Sequence, residues 1–151
     1  MSSKGMIEIL NDLLEMELMA VEYYRMHAEA IAEPEIAEGV KAILPAEHAH
    51  AVSLTTRINE LGGVPVRPGG PASTKGRKMG EASKIKGTLA MLKLELGQEQ
   101  QAIKAYAAPV ADIPYDIVTL EMLEEQLFDE MRHAKWLKKK IMEIEGKTAI
   151  P

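Results

Sequence analysis

The chain has no cysteine, one tryptophan and one phenylalanine, and aromatic residues make up only 4% of its 151 positions. Without cysteine there is no disulfide framework, no zinc–thiolate site and no cysteine nucleophile. No uninterrupted apolar run approaches the ~20 residues that a membrane span requires. The first residues, MSSKGMIEILNDLLEME, lack the apolar stretch of a secretory signal. A cytoplasmic protein with no membrane partner is therefore expected. Basic residues (18) are outnumbered by acidic ones (23), for a net charge of −5, which is the wrong sign for a general nucleic-acid binder. The hydrophobic 46% is mostly Leu, Ile, Ala and Met, residues that favour helix over sheet. The length suits one domain with a real core.

Four segments carry helical periodicity: about 6–32, 35–61, 81–108 and 114–145. Pro34 suits the first turn of the second helix. Pro45 lies inside that helix and should kink or locally break it. The stretch APVADIP (108–114) should end the third helix, and Gly146 should stop the fourth. Residues 62–80, rich in Gly and Pro, read as a long crossover loop, with Arg67, Lys75, Arg77 and Lys78 as solvated linker residues. Short, long and short connections predict an all-α fold, a four-helix bundle of two antiparallel hairpins joined by a long crossover, in one domain spanning 1–151. A long crossover allows the second and third helices to run parallel, the connectivity of ferritin-like bundles.

The two hairpins repeat. Leu10, Leu14, Glu17, Ala20, Val21 and Tyr24 correspond to Leu92, Leu96, Glu99, Ala102, Ile103 and Tyr106 at an offset of 82 residues. EHAHAVSL (47–54) and EMRHAKWL (130–137) share Glu-x-x-His-Ala-x-x-Leu at an offset of 83. Glu17 and Glu47 are equidistant from the break near Pro34. Glu99 and Glu130 are likewise equidistant from Pro114 and Tyr115. Each hairpin thus brings two carboxylates and one imidazole to one height, roughly 22 Å from its turn at ~1.5 Å per residue.

These polar residues lie on stripes meant for a core. Glu130 and His133 share theirs with Leu123, Leu127, Ala134, Leu137 and Ile141. Four buried carboxylates would repel one another and take up protons, at several kcal/mol each. No Lys or Arg on these stripes can neutralise them. Two divalent cations balance four carboxylates, with the histidines as neutral ligands. The i, i+3 spacing lets Glu and His reach the same ion. Glu17, Glu47, His50, Glu99, Glu130 and His133 are the candidate ligands. This donor set suits iron or manganese, with zinc an alternative. Glu95, one turn before Glu99, is a rival that fits the spacing less well and reads as an outer or near-surface residue. Glu124, Glu125 and Asp129 read as surface or outer residues. Tyr24 and Tyr106 read equally as core or as partners of the ligands. Trp136 and the ten methionines read as packing.

EMELMAVEYYRMHA (15–28) and DEMRHAKWL (129–137) resemble the first and fourth helices of bacterioferritins. Over about residues 6–145 the chain resembles the ferritin-like di-iron carboxylate superfamily, especially its bacterioferritin and rubrerythrin branches. The resemblance implies a site for two Fe ions, with Glu47 and Glu130 bridging and all six residues catalytic as well as ligating. It also implies O2 or H2O2 as oxidant, a ferroxidase-type activity and a homodimer or larger homo-oligomer. A rubrerythrin-like di-iron peroxidase or small-molecule oxygenase is the alternative, and a non-catalytic metal-binding bundle is a second. A rubrerythrin carries a further carboxylate one turn along its third helix, where this chain has Ala102, and rubredoxin-like cysteine pairs are missing. Where bacterioferritins present a haem-ligating methionine, His48 stands here, so haem is not expected.

Overall fold

The computed structural model describes residues 3–112 and 116–146. Among these the chain forms five helices: α1 (Ser3–Ala30), α2 (Pro34–Glu60), α3 (Pro71–Lys84), α4 (Thr88–Asp112) and α5 (Ile117–Ile144). The long helices α1, α2, α4 and α5 make a bundle. The apolar core falls into two clusters, and the order in which each helix meets them fixes its direction. α1 passes from Leu10, Leu13 and Leu14 in the first cluster to Tyr23, Tyr24 and Ile31 in the second. α2 passes from Ile36 and Val40 in the second to Leu54 and Ile58 in the first. α4 runs from Leu92 to Tyr106, as α2 does, and α5 from Leu123 to Leu137, as α1 does. Thus α2 and α4 are parallel, and the fold is the expected all-α ferritin-like four-helix bundle.

The crossover differs from expectation. Residues 71–84 are helical, and the expected helix from 81 is divided by a turn at 85–87, where Gly87 has φ of +100°. The buried face of α3 is Ser73, Gly76, Gly80 and Ser83. These residues carry no apolar signal, but they let α3 lie directly against α1. A Cβ on Gly76 would sit 2.4 Å from the Met19 carbonyl oxygen, and one on Gly80 would sit 2.7 Å from Met26 Sδ. Small side chains therefore do here what leucines do in the other helices, by allowing close backbone approach.

Neither internal proline interrupts its helix. α2 continues through Pro45, and α4 passes through Pro109 to Asp112 rather than ending at Ala108. Each proline removes one hydrogen bond, to the carbonyls of Lys41 and Ala105 respectively, and packing on the bundle outweighs that loss. Pro34 occupies the first turn of α2, and Gly146, at φ of +70°, follows α5. Asp116 caps α5 by accepting from Thr119 N at 3.0 Å. The expected start of the fourth helix at 114, and the pivot at Pro114 and Tyr115, lie outside the described residues. Trp136 packs against the Gly39 backbone, where any Cβ would overlap its ring.

Candidate metal centre

On every long helix the two apolar clusters leave a gap, and the gaps coincide. Glu17, Glu47 with His50, Glu99, and Glu130 with His133 fill them. The four glutamates are each 1% exposed. The structure brings all six residues together as two groups. One ligand atom from each of Glu17, Glu47, His50 and Glu130 lies within 4.8 Å of the others, and the same holds for Glu47, Glu99, Glu130 and His133. Glu47 and Glu130 belong to both groups, which is the geometry of a paired site with two shared carboxylates.

His50 Nδ1 lies 2.7 Å from Glu17, 3.3 Å from Glu130 and 3.6 Å from Glu47. His133 Nδ1 lies 3.3 Å from Glu47 and 3.5 Å from both Glu99 and Glu130. Burial drives the carboxyl groups of Glu17, Glu47 and Glu99 above the usual range, Glu99 to about 7, and the Glu130 charge adds to the effect. Burial opposes the Glu130 charge as well, but the His133 and His50 rings, 3.5 and 3.3 Å away, outweigh it and hold that carboxyl low. Burial would lower both histidines, but the carboxylates around them push His50 up to about 11 and His133 up to about 9. The cluster therefore balances its charge with protons, and a cation would displace them.

The residues fit divalent cations. Glu47 Oε1, Glu99 Oε2, Glu130 Oε1 and His133 Nδ1 are buried without a hydrogen-bond partner. Such orphaned polar atoms are rare in folded proteins and call for a ligand. The six donors are hard oxygens and imidazole nitrogens, suited to iron, manganese or zinc.

Two tyrosines brace the cluster crosswise. Tyr24 of α1 donates to Glu99 at 2.6 Å, and Tyr106 of α4 donates to Glu17 at 2.8 Å. Asp129, about a third exposed, accepts from His50 Nε2 at 2.8 Å, so of the two expected readings it is the outer partner of the site. Glu95 is not near the surface. It is fully buried, 2.5 Å from His27 Nδ1, and His27 Nε2 in turn meets Ser83 Oγ at 2.7 Å. Ser83 donates to the Met79 carbonyl, so His27 Nε2 carries the hydrogen between them. Burial pushes Glu95 well up and His27 down to about 4. Burial thus favours the uncharged form of both groups, an acid donating to an imidazole. Sequence reasoning passed over His27 and Ser83. The available signal was that His27 lies on the α1 stripe of Tyr23, Tyr24 and Ile31. His48, by contrast, is exposed and lines an apolar groove of about 550 Å³ with Leu18, Val21 and Val66.

Fold and cluster together define a four-helix bundle built around a carboxylate–histidine pair of sites. The family described as Ferritin, ferritin-like domain, matches residues 7–146. The chain belongs to that family. Three solved structures are similar. A bacterioferritin-related protein of Bacteroides fragilis, described as a dodecameric thioferritin, superposes with a TM-score of 0.80 at 22% identity, over 96% of this chain and 89% of that one. The bacterioferritin of Desulfovibrio desulfuricans, described with a diiron site in different catalytic states, gives 0.77 at 26% identity, over 95% and 82%. The bacterioferritin of Rhodobacter capsulatus, described with a metal-free dinuclear site and a haem iron, gives 0.72 at 25% identity, over 94% and 86%. No curated protein sequence matches the chain. No helix among the described residues is long and apolar enough to cross a membrane.

Proposed function

We propose that this chain binds two iron ions between Glu17, Glu47, His50, Glu99, Glu130 and His133 and oxidises Fe(II) with O2 or H2O2. The observation that carries this reading is the pair of four-residue groups sharing Glu47 and Glu130, with buried acceptors left unpartnered in both. The diiron site of the Desulfovibrio desulfuricans relative supports it. Iron supplies one electron per ion to the oxidant. The chain supplies a dry, anionic setting that favours the higher charge of Fe(III), and the tyrosines hold the terminal glutamates in place. The histidines release protons as cations enter. The space among Met16, Glu17, Tyr23, Glu47, Gln98, Glu99 and Glu130 is about 10 Å³, room for about one water and not for an organic substrate. That favours a small oxidant over an oxygenase substrate. The dodecameric state of the Bacteroides fragilis relative supports assembly of this chain into a homo-oligomer.

Anaerobic titration with Fe(II), followed by O2 or separately by H2O2, tests the proposal. The expected result is saturation at two Fe(II) per chain and a rise in Fe(III) absorbance with either oxidant. Replacing Glu130 and His133 together by alanine should abolish the stoichiometric binding. Saturation that survives this double substitution would remove the proposal.

A further inference from the structure

The duplication makes the two halves of the cluster alike in most respects. Glu17 matches Glu99, Tyr24 matches Tyr106, Glu47 matches Glu130 and His50 matches His133. Each terminal glutamate accepts from the tyrosine of the opposite hairpin, although Tyr106 alone also meets Gln126 Oε1, at 2.9 Å. A second departure touches a histidine directly. Asp129 precedes Glu130, whereas the residue preceding Glu47 is Ala46. Asp129 Oδ2 lies 2.8 Å from His50 Nε2, while its other oxygen pairs with Arg132. His133 has no such partner: among the described residues no side chain hydrogen-bonds its Nε2, and a methyl group at 46 cannot accept one. His133 is also the more open ring, with a side chain 12% exposed against 4% for His50.

We propose that the two cation positions are unequal, that the position between Glu17, Glu47, His50 and Glu130 is the tighter, and that Asp129 is the positioning residue that makes it so. This rests on the two-cation reading above. When a cation displaces the Nδ1 proton of His50, Asp129 would hold the remaining hydrogen on Nε2 and so keep the Nδ1 lone pair aimed between Glu17, Glu47 and Glu130. Its negative charge also makes that nitrogen a stronger donor. Outer carboxylates of this kind change metal affinity by about 10- to 100-fold. No side chain among the described residues fixes the outer nitrogen of His133, so its position exchanges metal more readily. The Glu95–His27 pair does not compensate, because Glu95 is engaged with His27 rather than with His133 or Glu99.

Anaerobic calorimetric titration of the full chain with Co(II), read in parallel by its visible spectrum, tests this. Wild type should bind in two resolved steps separated by tenfold or more. His133→Ala should keep the tight step and His50→Ala should lose it. Asp129→Ala should weaken the tight step by about 10- to 100-fold, until the two steps merge. Ala46→Asp should strengthen the second step and leave the first in place. If Asp129→Ala does not fold, as judged by circular dichroism, the Ala46→Asp and histidine variants decide the matter. Two equal steps in wild type would overturn the inequality, and equal weakening of both steps by Asp129→Ala would overturn the role of Asp129; either result leaves the two-cation reading intact. No saturable Co(II) binding would overturn both.

Discussion

Tyr24 on α1 donates its phenol hydrogen to Glu99 on α4 across 2.6 Å, with both residues essentially excluded from solvent. The bond ties one hairpin to the other at the height of the carboxylate cluster. Burial and the nearby carboxylates hold the phenol well above its usual range, so it remains a donor at any physiological pH. Tyr24→Phe removes the hydrogen and leaves Glu99 with no partner for that oxygen. We expect a loss of about 1–3 kcal/mol in the metal-free protein, the usual penalty for an orphaned buried acceptor, measured by urea denaturation. Tyr106→Phe should behave alike through Glu17. A change below about 0.5 kcal/mol in both would show that the cross-brace is not stabilising.

The cluster's protons predict a pH dependence of metal binding. His50 and His133, raised to about 11 and about 9, hold protons at pH 7 in the metal-free protein and must lose them to a cation. Binding should therefore release protons and weaken as pH falls. Calorimetry of Zn(II) binding in buffers of different ionisation enthalpy reads the released protons directly. Proton-neutral binding at pH 7 would contradict the charge state described for the cluster.

Glu95 gives a separate test that needs no metal. Its folded carboxyl is raised well above the ordinary 4.5, chiefly by burial. The folded chain therefore keeps a proton that the unfolded chain sheds. Its contribution is fully present below pH 4.5 and is lost as pH rises toward the folded pKa. Glu95→Gln retains a neutral donor to His27 without that loss. Relative to wild type, the variant should gain thermal stability steadily from pH 4.5 to 8, followed by calorimetry at each pH. A constant difference across that range would mean that Glu95 is ionised in the fold.

Gly76 governs the docking of α3. Its missing Cβ would stand 2.4 Å from a backbone oxygen of Met19, which cannot rotate away as a side chain could. Gly76→Ala should cost roughly 1–3 kcal/mol, as overpacking typically does. It should also expose residues 71–84 to limited proteolysis before the long helices are cut. Gly69, with open space around it but φ of +84°, should show strain without that selective cleavage.

Helical periodicity and spacing from the turns were enough to read four amphipathic helices, their pairing into hairpins and the six polar residues on their core stripes. That information is local. A 3.6-residue repeat says which side of a helix is buried, and equal distance from a turn says which residues share a height. Neither says what a buried side chain touches. Asp129 reads as a surface or an outer residue without a choice between the two, because its partner, His50, is 79 residues away and on another hairpin.

The sequence by itself determined an all-α chain with duplicated Glu and Glu-x-x-His positions turned inward, because those features follow from residue type and helical pitch. Only the tertiary structure decided that α3 exists as a helix packed through Ser73, Gly76, Gly80 and Ser83, since a buried face of small residues in a Gly- and Pro-rich stretch lacks the large apolar residues of a core stripe. It alone also decided that Glu95 is sealed against His27 and that Asp129 reaches His50 while Ala46 leaves His133 without such a partner. Those are contacts across helices, and the packing distance between backbones sets them rather than any pattern within one.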